Sequence, residues 1–358
     1  MAKAPDLLVA RPQGLYCPAG DFYIDPSRPV HRAVLTHAHA DHARAGHRHV
    51  LATAVSEGVL RSRLGAQLPL QGLAYGQVLV HQGVQISLHP AGHVLGSAQV
   101  RLAHGGRVWV ASGDYFLSDH DERNPTCEPF EPVRCDTFIT ESTFGLPVYR
   151  WPAQARVFEQ IHAWWRANAA VGRISLLLAY SFGKAQRLLA GLDPQAGAIL
   201  VHRAMAPINQ AYRAAGVALP DTHTLGDAPD VTAWPGALVL APPSVLGGPW
   251  ARALGDYRSA FASGWMQLRA GRRRQRADAG FVLSDHADWP GLQRAIRASA
   301  AERVIVTHGQ EAVMVRWLAE QGLDAGVLHA GPALAQPADP PVPLREDLDR
   351  PAVPGALV

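Results

Sequence analysis

Thr36-His37-Ala38-His39-Ala40-Asp41-His42 packs three histidines and an aspartate into six residues. It follows directly on the apolar run Arg32-Ala-Val-Leu-Thr, which reads as a buried strand. If the segment stays extended, His37 and His39 lie on the same side, because side chains alternate with a period of two. They can then converge on one metal ion, while Asp41 and His42, at the following turn, reach a second. Four potential ligands so close together are costly to bury unless a cation neutralises and coordinates them. The alternative is a solvated histidine-rich loop, and the specific order of the ligands argues against it.

Three more polar residues share this context, each just after an apolar strand: His93 in Pro90-Ala-Gly-His93, Asp114 in Ala111-Ser-Gly-Asp114, and His308 in Val306-Thr-His308-Gly309. Singly, each reads as a hydrogen-bonded structural residue. Beside the first motif they read as the rest of a metal site. Seventeen histidines in the chain fit that reading, since imidazole is the commonest metal ligand.

Outward from these sites, short apolar runs recur at Arg107–Ala111, Thr137–Thr140, Ile174–Ala179, Ala198–Val201, Ala237–Ala241, Gly280–Leu283 and Arg303–Thr307. Helical periodicity separates them at Gln154–Ala169, Phe182–Leu192, Pro290–Ala298 and Glu311–Gln321. Strands alternating with helices predict an α/β architecture. No internal repeat or heptad array is present. The stretch from about Gly331 is rich in Pro and Ala without periodicity and reads as a flexible tail.

Composition narrows the class. Apolar residues make up 48% and charged residues 18%, as in a soluble globular protein. No apolar run approaches the roughly 18 residues of a membrane span, and Met1-Ala-Lys-Ala-Pro-Asp6 does not resemble a signal peptide. A cytoplasmic protein without membrane contact is expected. Cys17, Cys127 and Cys135 are too few for a disulfide framework and too irregular for a zinc ribbon. The net charge of +3 is mild, so any nucleic-acid contact must come from local basic clusters.

Two such clusters stand out. Tyr180-Ser181-Phe182-Gly183-Lys184-Ala185-Gln186 joins a strand to a helix. With Ser181 as N-cap, the free N–H groups there, with Lys184 and Gln186, form an anion site; the alternative is a plain capped helix. Arg269-Ala-Gly-Arg272-Arg273-Arg274-Gln-Arg276 is a dense positive loop suited to phosphate contact, or else a solvated turn. Trp265 and Met266 just before it can stack on a base or serve in the core.

The pattern HxHxDH, a distant GH and a distant GD resembles the metallo-β-lactamase superfamily. Thr140-Glu141-Ser142-Thr143-Phe144-Gly145, Ser284-Asp285-His286-Ala287-Asp288 and Val306-Thr-His308-Gly309 resemble the three motifs of its β-CASP, nucleic-acid-processing branch. The likeness runs from about residue 15 to residue 320. Leu15-Tyr-Cys-Pro-Ala-Gly-Asp-Phe-Tyr-Ile-Asp-Pro26, Ser181-Phe-Gly-Lys-Ala-Gln186 and Ser263-Gly-Trp-Met266 are most similar to bacterial ligase-associated DNA exonucleases.

This resemblance implies an αββα sandwich from residues 1–146 and 284–333, an inserted α/β β-CASP domain at 147–283, and a tail at 334–358. It implies two divalent metal ions (zinc or manganese, with iron also compatible). His37, His39 and His93 would hold one, Asp41, His42 and His308 the other, and Asp114 would bridge them. Asp25 would orient the ligand loop rather than bind metal. The expected catalytic side chains are Asp41, His286 and Glu141: His286 faces the scissile phosphate as hydrogen-bond or proton donor, and Glu141 orients a histidine. Asp285 and Asp288 are expected to cap the helix that follows. Ser181, Lys184, Gln186, Arg272, Arg273 and Arg274 are the expected substrate contacts.

The implied activity is hydrolysis of phosphodiester bonds by a DNA exonuclease, 5′ to 3′, in repair or end processing. Its substrate would be single-stranded DNA or duplex ends, with a DNA ligase or helicase as functional partner. The rivals are an RNA nuclease, which His308 favours because RNA-cleaving relatives carry histidine there, a small-molecule metallohydrolase, and a non-catalytic nucleic-acid-binding module.

Overall fold

The computed structural model describes residues 5–118, 123–269 and 277–328. Its described strands form three sheets. The first takes six strands in chain order: Val9–Arg11, Gly14–Cys17, Phe22–Ile24, Arg32–Val34, His49–Thr53 and Leu70–Leu73. The second has seven, in the spatial order Asp324–Gly326, Arg303–Gly309, Thr137–Ser142, Arg107–Ala111, Ala98–His104, Val84–Pro90 and Val78–His81. Two of its strands come from the far end of the chain, and Arg303–Gly309 pairs in parallel with Thr137–Ser142. Distant parts of the sequence thus close one sheet.

These two sheets pack face to face, and alternation along the strands explains how. Val34 and Leu51 point into the shared core with Trp109, Ala111, Ile139 and Ile305. Their neighbours point outward: Ala33, Leu35, Val50 and Ala52 meet Val59 and Leu60 of the helix Glu57–Leu64. On the other outer face Val110, Phe138, Val304 and Val306 meet the helices Trp289–Ser299 and Glu311–Glu320 through Leu292, Ile296, Met314 and Leu318. A period of two buries both faces of each sheet, giving four layers, helix–sheet–sheet–helix. This is the αββα sandwich expected from the sequence.

Residues 174–281 build the third sheet, wholly parallel, in the order His223–Leu225, Ile199–His202, Leu238–Ala241, Ile174–Leu178, Tyr257–Ala262 and Ala279–Phe281. Its central strands are fully buried and almost wholly apolar, as a sheet covered on both faces requires. The helices Gln154–Ala169 and Lys184–Gly191 cover one face through Val157, Ile161, Trp165, Leu188 and Leu189. The helix Ala206–Ala214 leaves this unit and packs Ile208 and Tyr212 against the sandwich beside Val59 and Leu60. The inserted α/β domain is therefore seated on the sandwich. No helix among the described residues is long and apolar enough to cross a membrane.

Candidate metal centre

Every side chain of the centre leaves the C-terminal end of a strand or the loop behind it. Asp25 follows Phe22–Ile24, His37 to His42 follow Arg32–Val34, and His93 follows Val84–Pro90. Asp114 follows Arg107–Ala111, Glu141 lies near the end of Thr137–Ser142, and His308 lies near the end of Arg303–Gly309. His286 arrives from the third sheet, after Ala279–Phe281. Residues 37–42 form a turn rather than an extended segment: the N–H groups of His42 and Ala43 both donate to the His39 carbonyl. His37 and His39 still meet, with ring centroids 4.8 Å apart, because the turn curls them together.

His37, His39, His93 and Asp114 offer ligand atoms that all lie within 4.8 Å of one another. Their hydrogen bonds fix which nitrogen faces inward. His37 Nδ1 donates to Thr36 Oγ1 at 3.0 Å, and that hydroxyl donates to Asp25 Oδ2 at 2.5 Å. His37 Nε2 is buried with no hydrogen-bond partner. His93 Nδ1 donates to the Asp285 carbonyl at 2.8 Å, and His39 Nε2 to the Phe182 carbonyl at 3.3 Å. Carbonyls accept only, so the remaining nitrogens, His93 Nε2 and His39 Nδ1, present lone pairs to each other at 3.0 Å. Two facing lone pairs and an orphaned buried nitrogen beside a carboxylate are unfavourable alone; a cation between them resolves all three. The residues present fit a divalent metal.

Electrostatics agrees. Burial pushes His37 and His93 well below the ordinary imidazole value and His39 down to about 4, so all three rings are held neutral, the form that can bind a metal. Burial alone would raise the Asp114 carboxyl, but the histidines around it, His42 first, hold it well below the usual range.

Around the second expected position the arrangement is more open. His42 Nε2 lies 3.4 Å from Asp114 Oδ2 and 3.7 Å from Asp41 Oδ2. Its Nδ1 donates to Asp25 Oδ2 at 2.7 Å, and Asp25 Oδ1 accepts the Thr36 N–H at 2.8 Å. Asp25 touches no inward-facing nitrogen and ties Thr36 and His42 of the loop together. The Asp41 side chain is 66% exposed and His308 is exposed, its ring centroid 5.7 Å from that of His42. Both border a cavity of about 400 Å³ that also reaches Asp25, Arg11 and Glu311.

Glu141, 2% exposed, accepts the Tyr115 N–H at 2.9 Å and holds His286 Nδ1 at 2.9 and 3.0 Å. That leaves His286 Nε2 available, with its ring centroid 4.7 Å from that of His93. Burial disfavours the imidazolium, but the Glu141 and Asp114 carboxylates outweigh it and push His286 up to about 9.

Several expectations for substrate contact are corrected. Gly183, not Ser181, occupies the N-cap of Lys184–Gly191, and Ser181 is buried. Gln186 is fully buried: its Oε1 accepts the Gly183 N–H, and its Nε2 donates to the Ser181 carbonyl and Asn209 Oδ1. Lys184 is buried too, its Nζ 2.9 Å from Asp285 Oδ2. These three side chains face the protein rather than a solvent-filled groove. Asp288 caps Trp289–Ser299 by accepting the Gly291 N–H, as expected, but Asp285 joins Lys184 and Arg187 in a buried ion cluster. Met266 is core, while Trp265 stays partly exposed against Phe144 and Tyr149. Arg272, Arg273 and Arg274 lie outside the described residues.

Sequence reading missed Thr36, Arg187 and the carbonyls of Phe182 and Asp285. Thr36 adjoins the first histidine and was open to inference. A backbone acceptor carries no residue signature. Arg187 had one, a cation among the buried positions Ala185, Leu188 and Leu189.

No protein-family model matches the chain. A probable DNA ligase of Opitutus terrae is 32% identical over 314 residues, covering 87% of this chain and 30% of the ligase. Cleavage and polyadenylation specificity factor subunit 3 of Dictyostelium discoideum is 29% identical over 126 residues, 35% of this chain and 16% of that protein. Endoribonuclease ysh1 of Schizosaccharomyces pombe is 31% identical over 126 residues, with the same shares. The chain therefore spans under a third of the length of these relatives. Among solved structures, a protein of unknown function from Enterococcus faecalis V583 superposes with a TM-score of 0.57 at 11% identity, covering 83% of this chain and 79% of that one, a likeness of fold alone. Similar to these proteins along its sequence and carrying a parallel-sheet domain inserted into an αββα sandwich, the chain belongs to the β-CASP branch of the metallo-β-lactamase superfamily.

Proposed function

We propose that the chain is a metal-dependent nuclease that removes nucleotides from DNA ends, 5′ to 3′. The observation that carries this reading is the convergence of four ligand atoms whose other hydrogen-bonding positions are already occupied, with His286 beside them on Glu141. Divalent ions held there supply Lewis acidity toward phosphate oxygens and activate water. His37, His39 and His93 would hold one ion with Asp114, and Asp41, His42 and His308 would serve the second, more exposed position. Zinc suits the histidine-rich set, and the mixed nitrogen and oxygen donors also accept manganese or iron.

The chain's own residues do the remaining work. Asp25 fixes the ligand turn through Thr36 and His42. Glu141 keeps His286 Nδ1 protonated and raises the basicity of the ring, so Nε2 can carry a proton to the leaving oxygen. The open side at Asp41 and His308 is where a strand enters, and the arginines at 272–274 contact its phosphates.

DNA is preferred because the likeness to a probable DNA ligase covers most of the chain, while that to the ribonucleases covers about a third. That likeness also supports action beside a ligase in end repair. RNA is the second reading, favoured by His308 and by the endoribonuclease names. Asp114→Ala tests the metal dependence: turnover and bound metal are both expected to disappear, and normal turnover would remove Asp114 from the metal site.

A further inference from the structure

Two of the three oxygens that set the ligand tautomers come from the inserted domain and its return to the sandwich. Phe182 follows the strand Ile174–Leu178 and Asp285 follows Ala279–Phe281, both in the third sheet. The sandwich supplies the rings of His39 and His93, but it does not supply these acceptors.

What holds the two carbonyls is a buried cluster of ions. The Asp285 carboxylate meets Lys184 Nζ at 2.9 Å and Arg187 Nη1 at 3.2 Å. Arg187 also donates to the Ser284 carbonyl and, at 2.7 and 2.9 Å, to Gln154 Oε1, with its guanidinium 4.2 Å over the Phe116 ring. Lys184, Arg187 and Asp285 are 4%, 1% and 4% exposed. Lys184 starts the helix one turn-residue after Phe182. Gly183 between them has φ +81°, and a Cβ there would sit 2.3 Å from Val94 Cγ1. Pulling Lys184 onto Asp285 therefore fixes the Phe182 and Asp285 carbonyls together. Burying three ions costs desolvation that apolar residues of similar size would avoid, so what the cluster contributes is geometry rather than stability.

We propose that Lys184, Arg187 and Asp285 are positioning residues of the metal centre: their cluster seats the Phe182 and Asp285 carbonyls on His39 and His93, so that docking of the inserted domain completes the metal site. This rests on the metal-centre reading above. It makes metal affinity, not only substrate contact, a property of the interface between the two units.

The test is zinc affinity of the full-length chain, measured by competition with a chromophoric chelator, alongside the ring ¹⁵N shifts of His93 in the metal-free protein. Lys184→Met, which keeps the Arg187–Asp285 pair, and Asp285→Asn are expected to weaken zinc binding about 10–100-fold, the range seen when partners of metal-binding histidines are lost. Lys184→Arg is expected to restore affinity. In wild type His93 is held as the Nδ1–H tautomer; in Lys184→Met it becomes a mixture. Folded variants with wild-type zinc affinity and an unchanged His93 tautomer would overturn the proposal. A wild-type chain that binds no zinc or manganese would instead overturn the metal-centre reading beneath it.

Discussion

At the scale of single residues, the centre is an arrangement of tautomers. Each of four histidines turns one nitrogen to an oxygen and the other inward: His37 through Thr36, His39 through Phe182, His93 through Asp285 and His42 through Asp25. That His37, His39, His93 and Asp114 would come together was legible in the sequence, because histidines and carboxylates at successive strand ends are the side chains a metal site needs. The acceptors behind them were not, because two are main-chain oxygens. The Glu141–His286 pair yields a pH prediction. In the folded, metal-free protein His286 titrates near 9, above the ordinary 6.5. Its contribution to stability is fully present below about 6.5 and is lost as pH rises through about 9. An NMR titration of the metal-free protein should show this raised value, and Glu141→Gln should bring it down. An unchanged value in Glu141→Gln would mean that the carboxylate does not control His286.

Among the elements, strand ends carry the chemistry, and backbone strain marks the most specialised of them. His308 has φ 57°, and Gly309 after it has φ 79°. A Cβ on Gly309 would lie 2.3 Å from the Ser142 carbonyl oxygen. Gly309→Ala should therefore cost about 2 kcal/mol or more in denaturant melts, and should lower activity by displacing His308. Wild-type stability in that variant would show that the turn relaxes freely. The parallel strands were readable because burial on both faces leaves continuous apolar runs such as Leu238–Ala241. The edge strand Val78–His81 was not read from the sequence: its three apolar residues are too short a run to stand out, and Val78 and Val80 are exposed. The helix at Lys184 was located but its role misread: a polar helix start looks the same in sequence whether it meets a phosphate or, as here, a buried aspartate.

For the molecule as a whole, both ends of the chain build the sandwich, and the domain between them packs back on it through Ile208 and Tyr212. The architecture was legible from strand–helix alternation and motif order; the contact between the units was not, because it depends on long-range packing. Metal bound only by the folded state stabilises it, so a chelator should lower the melting temperature and zinc or manganese should restore it. No shift would argue that the histidines hold no ion. Changing Arg272, Arg273 and Arg274 together to Ala should weaken DNA binding and flatten its salt dependence; an unchanged slope would remove that loop from the interface.

Digestion of end-labelled DNA and RNA strands, with and without a 5′-phosphate, in manganese or zinc, wild type beside His37→Ala, decides whether the chain is a DNA exonuclease. Wild type should release mononucleotides from DNA starting at the 5′ end, and the variant should release none. Cleavage of RNA alone would contradict the choice of substrate, and no cleavage of either strand by the wild type would contradict the nuclease itself.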